Sequence, residues 1–109
     1  MLLAFKQGDI YKVELNPTKG HEQRGWRPVL IVSNNDFNSL TDMVKVVPIT
    51  SQLKEFPMHL NLPDGLETIG QALVEQERSI DLNYRKHRLI EHCPQEFLDS
   101  VLEIISETY

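Results

Sequence analysis

The chain reads as a mainly β protein, a small, partly closed barrel of five or six short strands with one helix at its C-terminal end. Three observations lead there. Short apolar runs rich in β-branched residues, such as Val29-Leu30-Ile31-Val32 and Val44-Lys45-Val46-Val47-Pro48-Ile49, recur between clusters of turn formers. Helical spacing is clear only after Pro94, where Phe97, Leu98, Val101, Leu102, Ile104 and Ile105 fall on one face. A length of 109 residues at 40% hydrophobic content suits one compact domain, 1–109, and no repeat, linker or low-complexity tract interrupts it.

Taken in order, Gln7-Gly8-Asp9 is a turn, and Ile10-Tyr11-Lys12-Val13-Glu14-Leu15 alternates as a strand with one face in water. Asn16-Pro17-Thr18-Lys19-Gly20 has turn chemistry and opens a long polar loop that runs to Arg27. A loop of that length in a small domain is more often functional than merely connecting. Pro28 ends it, and Val29 to Ser33 reads as a strand buried on both faces. Asn34-Asn35-Asp36-Phe37-Asn38-Ser39 is rich in turn formers. In the third strand, Val44 to Ile49, Pro48 lacks a ladder donor and signals an edge or a bulge; a bulge would re-aim Thr50.

Phe56 to Leu62 is a weaker fourth strand, Pro63-Asp64-Gly65-Leu66 a turn, and Gln71 to Ile80 a fifth strand, polar toward its second half. Asp81 caps a helical turn through Leu82-Asn83-Tyr84-Arg85-Lys86, and Arg88-Leu89-Ile90-Glu91 makes a last short strand. The C-terminal helix admits Pro94 in its first turn and places Glu96 and Asp99 near its positive end.

Charge and cysteine content narrow the function classes. Eleven Lys and Arg against sixteen Asp and Glu give a net charge of −5, which argues against a broad phosphate-binding surface. A pocket with two or three arginines remains compatible, because attraction at contact depends on local charge. Cys93 is the only cysteine, so an intrachain disulfide is ruled out and the thiol reads as a small buried hydrophobe. No Asp/Glu/His cluster has ligand spacing, and neither a metal nor another cofactor is expected. No apolar run approaches the roughly 18 residues of a membrane span, and Met-Leu-Leu-Ala-Phe-Lys is too short for a signal peptide, so a cytoplasmic location is expected.

The organising stretch is Gly20 to Ser33, Gly-His-Glu-Gln-Arg-Gly-Trp-Arg-Pro-Val-Leu-Ile-Val-Ser. It joins a donor-rich, glycine-bounded loop to a buried strand and sets Arg27 at the strand's mouth. Together with Gly8-Asp9-Ile10-Tyr11, Asn16-Pro17-Thr18-Lys19-Gly20-His21-Glu22-Gln23, Val47-Pro48-Ile49-Thr50-Ser51 and Glu75-Gln76-Glu77-Arg78-Ser79-Ile80-Asp81, it resembles the MazF/PemK (Kid) family of toxins. The blocks follow in the family's order from about Gly8 to Asp81.

The resemblance implies an SH3-like barrel that forms a homodimer and acts as a metal-independent, sequence-specific endoribonuclease on single-stranded RNA. It further implies 2′,3′-cyclic phosphate and 5′-hydroxyl ends and a cognate MazE/PemI-like antitoxin, with DNA touched only through the antitoxin complex. Arg27 matches the family's catalytic arginine; its forked donors suit a phosphorane, and its high pKa favours electrostatic stabilisation over proton donation. Thr50 matches the catalytic hydroxyl, and Ser51 stands ready to assist it. His21 and Glu75 are the proton-handling candidates, Glu75 if burial raises its pKa.

Glu22 and Gln23 are typical of the family, Glu22 as a tie for the loop. Arg24 reads either as an extra phosphate contact or as a solvated charge, and Trp26 as a base stack or a dimer contact. Gln76 and Arg78 organise the site or the subunit interface. Leu73 stands where the Kid branch carries an arginine, which favours a mechanism resting on Arg27 and Thr50. His59, His87 and His92 read as structural or solvated. Two other readings use the same barrel: a CcdB-like gyrase-binding toxin and a non-catalytic SH3-like interaction module.

Overall fold

A computed structural model describes residues 5–14 and 26–109. Its strands are β1 (Asp9–Glu14), β2 (Trp26–Ile31), β3 (Val44–Thr50), β4 (His59–Asn61), β5 (Gln71–Leu73), β6 (Arg78–Ile80) and β7 (His87–His92). Helix α1 (Asn35–Thr41) lies between β2 and β3, and α2 (Gln95–Ser106) closes the chain. The sheet is antiparallel in the order β4-β5-β3-β2-β1-β7, with β6 also paired to β3. Among the described residues no pairing joins β7 to β4, so the sheet is open.

Strand β3 is the axis. Its Val46, Val47 and Pro48 pair with β2, while its other edge is shared, Val44 to Val46 with β6 and Ile49 and Thr50 with β5. Pro48 therefore stands in a central strand, beside the position where the outer partner changes. A residue without an N–H costs least there. Pro28 follows the same logic inside β2: it lies opposite Lys12 of β1, just before the pairing with β3 begins at Val29. It belongs to the strand rather than ending a loop.

Successive residues of the long strands enter two separate cores. Ile10, Leu30, Val47 and Ile49 pack with Cys93, Phe97, Leu98 and Val101 beneath α2. Tyr11, Val13, Val29, Ile31, Val44 and Val46 pack with Ile80, Leu82 and Phe5 on the opposite face. The expectation of two-sided burial holds for the run after Pro28. It fails for β1, where Lys12 alone is exposed, because cover on both faces leaves no wet side.

Three other local readings change. The turn-forming run after Ser33 is a short helix: Asn34 Oδ1 accepts the Phe37 N–H at 2.8 Å as its N-cap, and buried Asn38 bonds Ser33 and the Phe5 carbonyl. Residues 71–80 are two strands separated by a 3₁₀ turn at Val74–Gln76. This division raises the strand count to seven. In the fourth strand only His59 to Asn61 pair. The turn capped by Asp81, the last strand and the terminal helix stand as expected, with Pro94 itself the N-cap of α2.

Candidate functional site

Thr50 ends β3 opposite Gln71 of β5; β3 is a central strand and its pairings with β2 and β5 show no register shift, so Pro48 marks neither an edge nor a bulge. The position is fixed by close packing. Gly70 has φ +124°, and a Cβ there would lie 2.1 Å from the Thr50 carbonyl oxygen. Only glycine suits that contact. Thr50 Oγ1 accepts the Gln52 N–H at 3.1 Å, which leaves its own proton free to donate.

Arg27, on β2 opposite Val13, is exposed, and its guanidinium donates to the Trp26 carbonyl at 3.1 Å. Arg27 and Thr50 line one cavity of about 350 Å³ together with Pro48, Leu73, Gln76 and Arg78. The pattern read from sequence thus converges in space for four candidates: Arg27, Thr50, Gln76 and Arg78. Leu73 in the same wall makes it apolar where a further cation would change its electrostatics.

A second cavity, of about 190 Å³, shares Thr50, Leu73 and Gln76 with the first and adds Gln52, Lys54, His59 and Glu75. The two adjoin, with those three residues common to both linings. Glu75 Oε2 is 3.0 Å from His59 Nε2; the Glu75 side chain is 29% exposed and that of His59 only 8%. Burial acts most strongly, to raise the Glu75 pKa, but hydrogen bonds from His59, its own backbone and Gln76 and the His59 charge together outweigh it. The carboxyl is held below its ordinary value, contrary to the rise expected from burial. Because Nε2 faces a carboxylate it carries the proton, and the buried Nδ1 has no hydrogen-bond partner among the described residues.

The segment after β3 is pinned by buried Gln71. Its Oε1 accepts the Lys54 N–H and its Nε2 donates to Asn61 Oδ1, both at 3.0 Å. Ser51 is exposed and lines neither of these cavities, and Trp26 is half-buried beside Arg27 and also lines neither. His21, Glu22, Gln23 and Arg24 lie outside the described residues. Sequence reasoning missed His59, Gln71 and Gly70 as parts of the site. The signal for His59 was its register: β4 and β5 pair His59 with Leu73, two residues from Glu75. Among the described residues no group of three His, Cys, Asp or Glu side chains is placed to hold a metal ion.

The open antiparallel sheet, its terminal helix and a cleft joining two arginines to an oriented hydroxyl define a small β protein equipped to hold an anionic ester. Comparison with known proteins is specific. The model of the PemK-like, MazF-like toxins of type II toxin–antitoxin systems matches residues 6–109, and the chain belongs to that family. Endoribonuclease PemK of Escherichia coli is 38% identical over 107 residues, 94% of this chain and 80% of that protein. Endoribonuclease EndoA of Bacillus subtilis (strain 168) is 36% identical over 111 residues, 94% of this chain and 92% of that protein. A MazF crystal structure from Deinococcus radiodurans has TM-score 0.84 at 28% identity, over 98% of this chain and 97% of that one. A MazE-MazF complex from the same organism, with TM-score 0.83 at 23% identity over 98% and 96% of the two chains, adds the likeness of fold.

Proposed function

We propose that this chain, as a single domain 1–109, is the toxin of a type II toxin–antitoxin pair and a metal-independent endoribonuclease. It works in the cytoplasm as a homodimer, cuts single-stranded RNA at particular sequences, and is neutralised by a MazE/PemI-like antitoxin. The observation that carries this reading is the meeting of Arg27 and Thr50 in one cavity of a chain whose relatives are endoribonucleases.

RNA brings its own nucleophile in the 2′-OH, so the site must position, neutralise and move protons rather than generate an attacking group. The 2′-oxygen attacks the adjacent phosphorus in line with the departing 5′-oxygen. Arg27 spans two non-bridging oxygens as they gain charge, and the Thr50 hydroxyl donates to one of them. Arg78 adds a second cation to the same wall, and Gln76 offers amide donors to the backbone on either side of the cut. His21 is the group we assign to proton transfer, since imidazole titrates near neutrality and the lowered Glu75 makes that carboxylate the weaker base. The bond to the 5′-oxygen breaks as that oxygen takes the proton that His21 removed from the 2′-OH, leaving a 2′,3′-cyclic phosphate and a 5′-hydroxyl.

The test is incubation of purified protein with long, sequence-diverse single-stranded RNA in excess EDTA, beside Arg27→Ala, with chemical identification of the new ends. Discrete fragments with cyclic-phosphate ends, lost in the variant, are expected. Intact RNA from a folded, antitoxin-free dimer would overturn the nuclease reading and return attention to protein targets such as gyrase.

A further inference from the structure

We infer that the outer edge of β7 is a docking strand for an extended acidic segment of a protein partner. The segment adds to the sheet antiparallel and lays its carboxylates beside Lys12, Lys86 and Arg88. The inference does not depend on the nuclease reading, and three observations carry it.

The first is an open ladder. Strand β7 ends the sheet order, and among the described residues no strand lies beyond it. The Lys86 carbonyl accepts the Glu14 N–H at 3.0 Å, so Lys86 and Arg88 turn their backbone groups toward β1. His87 and Leu89 then turn their N–H and C=O groups outward, where an added strand can exchange hydrogen bonds with both.

The second is charge. In a chain of net charge −5, Arg85-Lys86-His87-Arg88 puts three Lys and Arg in four residues, and no Asp or Glu stands between Asp81 and Glu91. Lys12 and Arg88 lie directly opposite each other, a like-charge pair that costs stability, and both line a cavity of about 360 Å³. Lys12, Lys86 and Arg88 are exposed, and among the described residues none of them forms an ion pair. Glu67 lines the same cavity without pairing with either cation, and Glu91 spends its oxygens on the Glu67 and Thr68 N–H groups and the Thr68 hydroxyl. Incoming carboxylates supply the missing counter-charge.

The third is an apolar step on a preformed surface. Leu89 is 52% exposed in the middle of this edge. The His87 ring is held edge-on to Phe5 at 5.4 Å, and its Nδ1 bonds the Arg85 carbonyl at 2.9 Å.

Charges on an edge strand ordinarily guard it against pairing, and here they sort the partners. A second copy docked by the same edge would set one basic tract against another. RNA meets the cations but brings no alternating ladder of N–H and C=O groups. An acidic strand satisfies both demands. Its residue opposite Arg88 occupies a non-hydrogen-bonded pair, where side chains approach most closely. The preferred order is therefore an apolar residue opposite Leu89, an acidic one opposite Arg88, any residue opposite His87 and an acidic one opposite Lys86.

The experiment titrates the peptide Thr-Thr-Val-Glu-Thr-Glu-Thr-Thr into the ¹⁵N-labelled full chain and reads amide shifts and hydrogen exchange by NMR. Slowed exchange at the His87 and Leu89 amides is expected. Replacing both Glu of the peptide by Gln, or making the Lys86→Gln, Arg88→Gln double variant, should each weaken Kd about tenfold. N-methylation of the Val and of the Thr between the two Glu should abolish binding, whereas N-methylation of the two Glu, whose N–H groups face away from β7, should leave Kd within about threefold.

No binding at about 1 mM peptide overturns the inference, as does equal loss from both methylation patterns or unchanged affinity in the double variant. A Leu89 amide already protected in the free protein, and more so at higher protein concentration, overturns it in favour of a second copy. Single-stranded RNA with its 2′-OH groups removed that shifts the Lys86 to Leu89 amides and displaces the peptide at equal concentration overturns it in favour of a nucleic acid.

Discussion

In the proposed mechanism Thr50 and Arg27 divide the work of holding charge, and each can be weighed by a change that keeps shape or charge while removing the other. Thr50→Val is nearly isosteric but lacks the proton that the Gln52 contact leaves free to donate, so kcat is expected to fall about 10²- to 10³-fold, while Thr50→Ser retains most of it. Arg27→Ala falls by a similar factor. Arg27→Lys keeps the charge and loses the fork, and an intermediate single-turnover rate at saturating RNA is expected; a rate equal to wild type would remove the fork from the mechanism. Cys93 makes a separate residue-scale case. Burial above all, with Asp9 and Glu91 nearby, pushes its thiol up to about 11. It is protonated at neutral pH, so an aromatic disulfide reagent should label the native protein only as fast as it opens and label it at once in denaturant.

At the scale of elements, the site is set by what β3 pairs with, and the connection from β4 to β5 holds that arrangement. Gly70 packs on the Thr50 backbone, so Gly70→Ala meets both an unfavourable φ and a 2.1 Å contact. A stability loss of about 1–3 kcal/mol by denaturant titration is expected, together with a fall in kcat as Thr50 is pushed aside. Farther along, Glu91 of β7 accepts the backbone N–H groups of Glu67 and Thr68 at 3.0 and 2.8 Å and the Thr68 hydroxyl at 2.7 Å. Burial works to raise its pKa, and these bonds overcome it, leaving the carboxyl below its ordinary value. A depressed carboxyl stabilises the fold above the unfolded value of about 4.3, and that contribution is lost as pH falls through the lower folded value. Glu91→Gln should therefore lower Tm by about 4 °C or more at pH 7, and the difference should vanish in acid below the folded value.

These elements also mark how far sequence could be read. Strand β3 was legible as a β-branched run between turn formers, and helix α2 through the helical spacing of its apolar residues. Helix α1 was not, since the Asn and Ser residues that cap and anchor it are the same types that make turns, and only tertiary partners such as the Phe5 carbonyl decide between the two. The break in residues 71–80 arises from β3 having different partners at its two ends, which no local pattern encodes. In the site, Arg27 and Thr50 were legible through motif blocks. The His59–Glu75 pair was hidden because the pairing of β4 with β5, far from any local signal, brings the two side chains together.

The whole molecule carries a charge of −5, opposite to what general attraction of RNA requires, while Arg27, Arg78 and Lys54 are gathered on two adjoining cavities. Affinity should then come from a few contacts at short range, with the rest of the surface repelling the strand. For single strands, log K falls with log salt by about 0.7 for each phosphate neutralised, so three contacts give a slope of about −2. Anisotropy titrations with a 2′-deoxy-blocked oligonucleotide between 50 and 200 mM salt should show affinity falling about fifteenfold. Arg27→Ala or Lys54→Ala should each make the slope shallower by about 0.7, and an Arg24 contact would steepen it by the same amount. A slope of about −6 or steeper in wild type would require a continuous basic track along the strand. Outside those three residues the chain carries eight Lys and Arg against sixteen Asp and Glu, so that result would move the RNA to a surface beyond these two cavities.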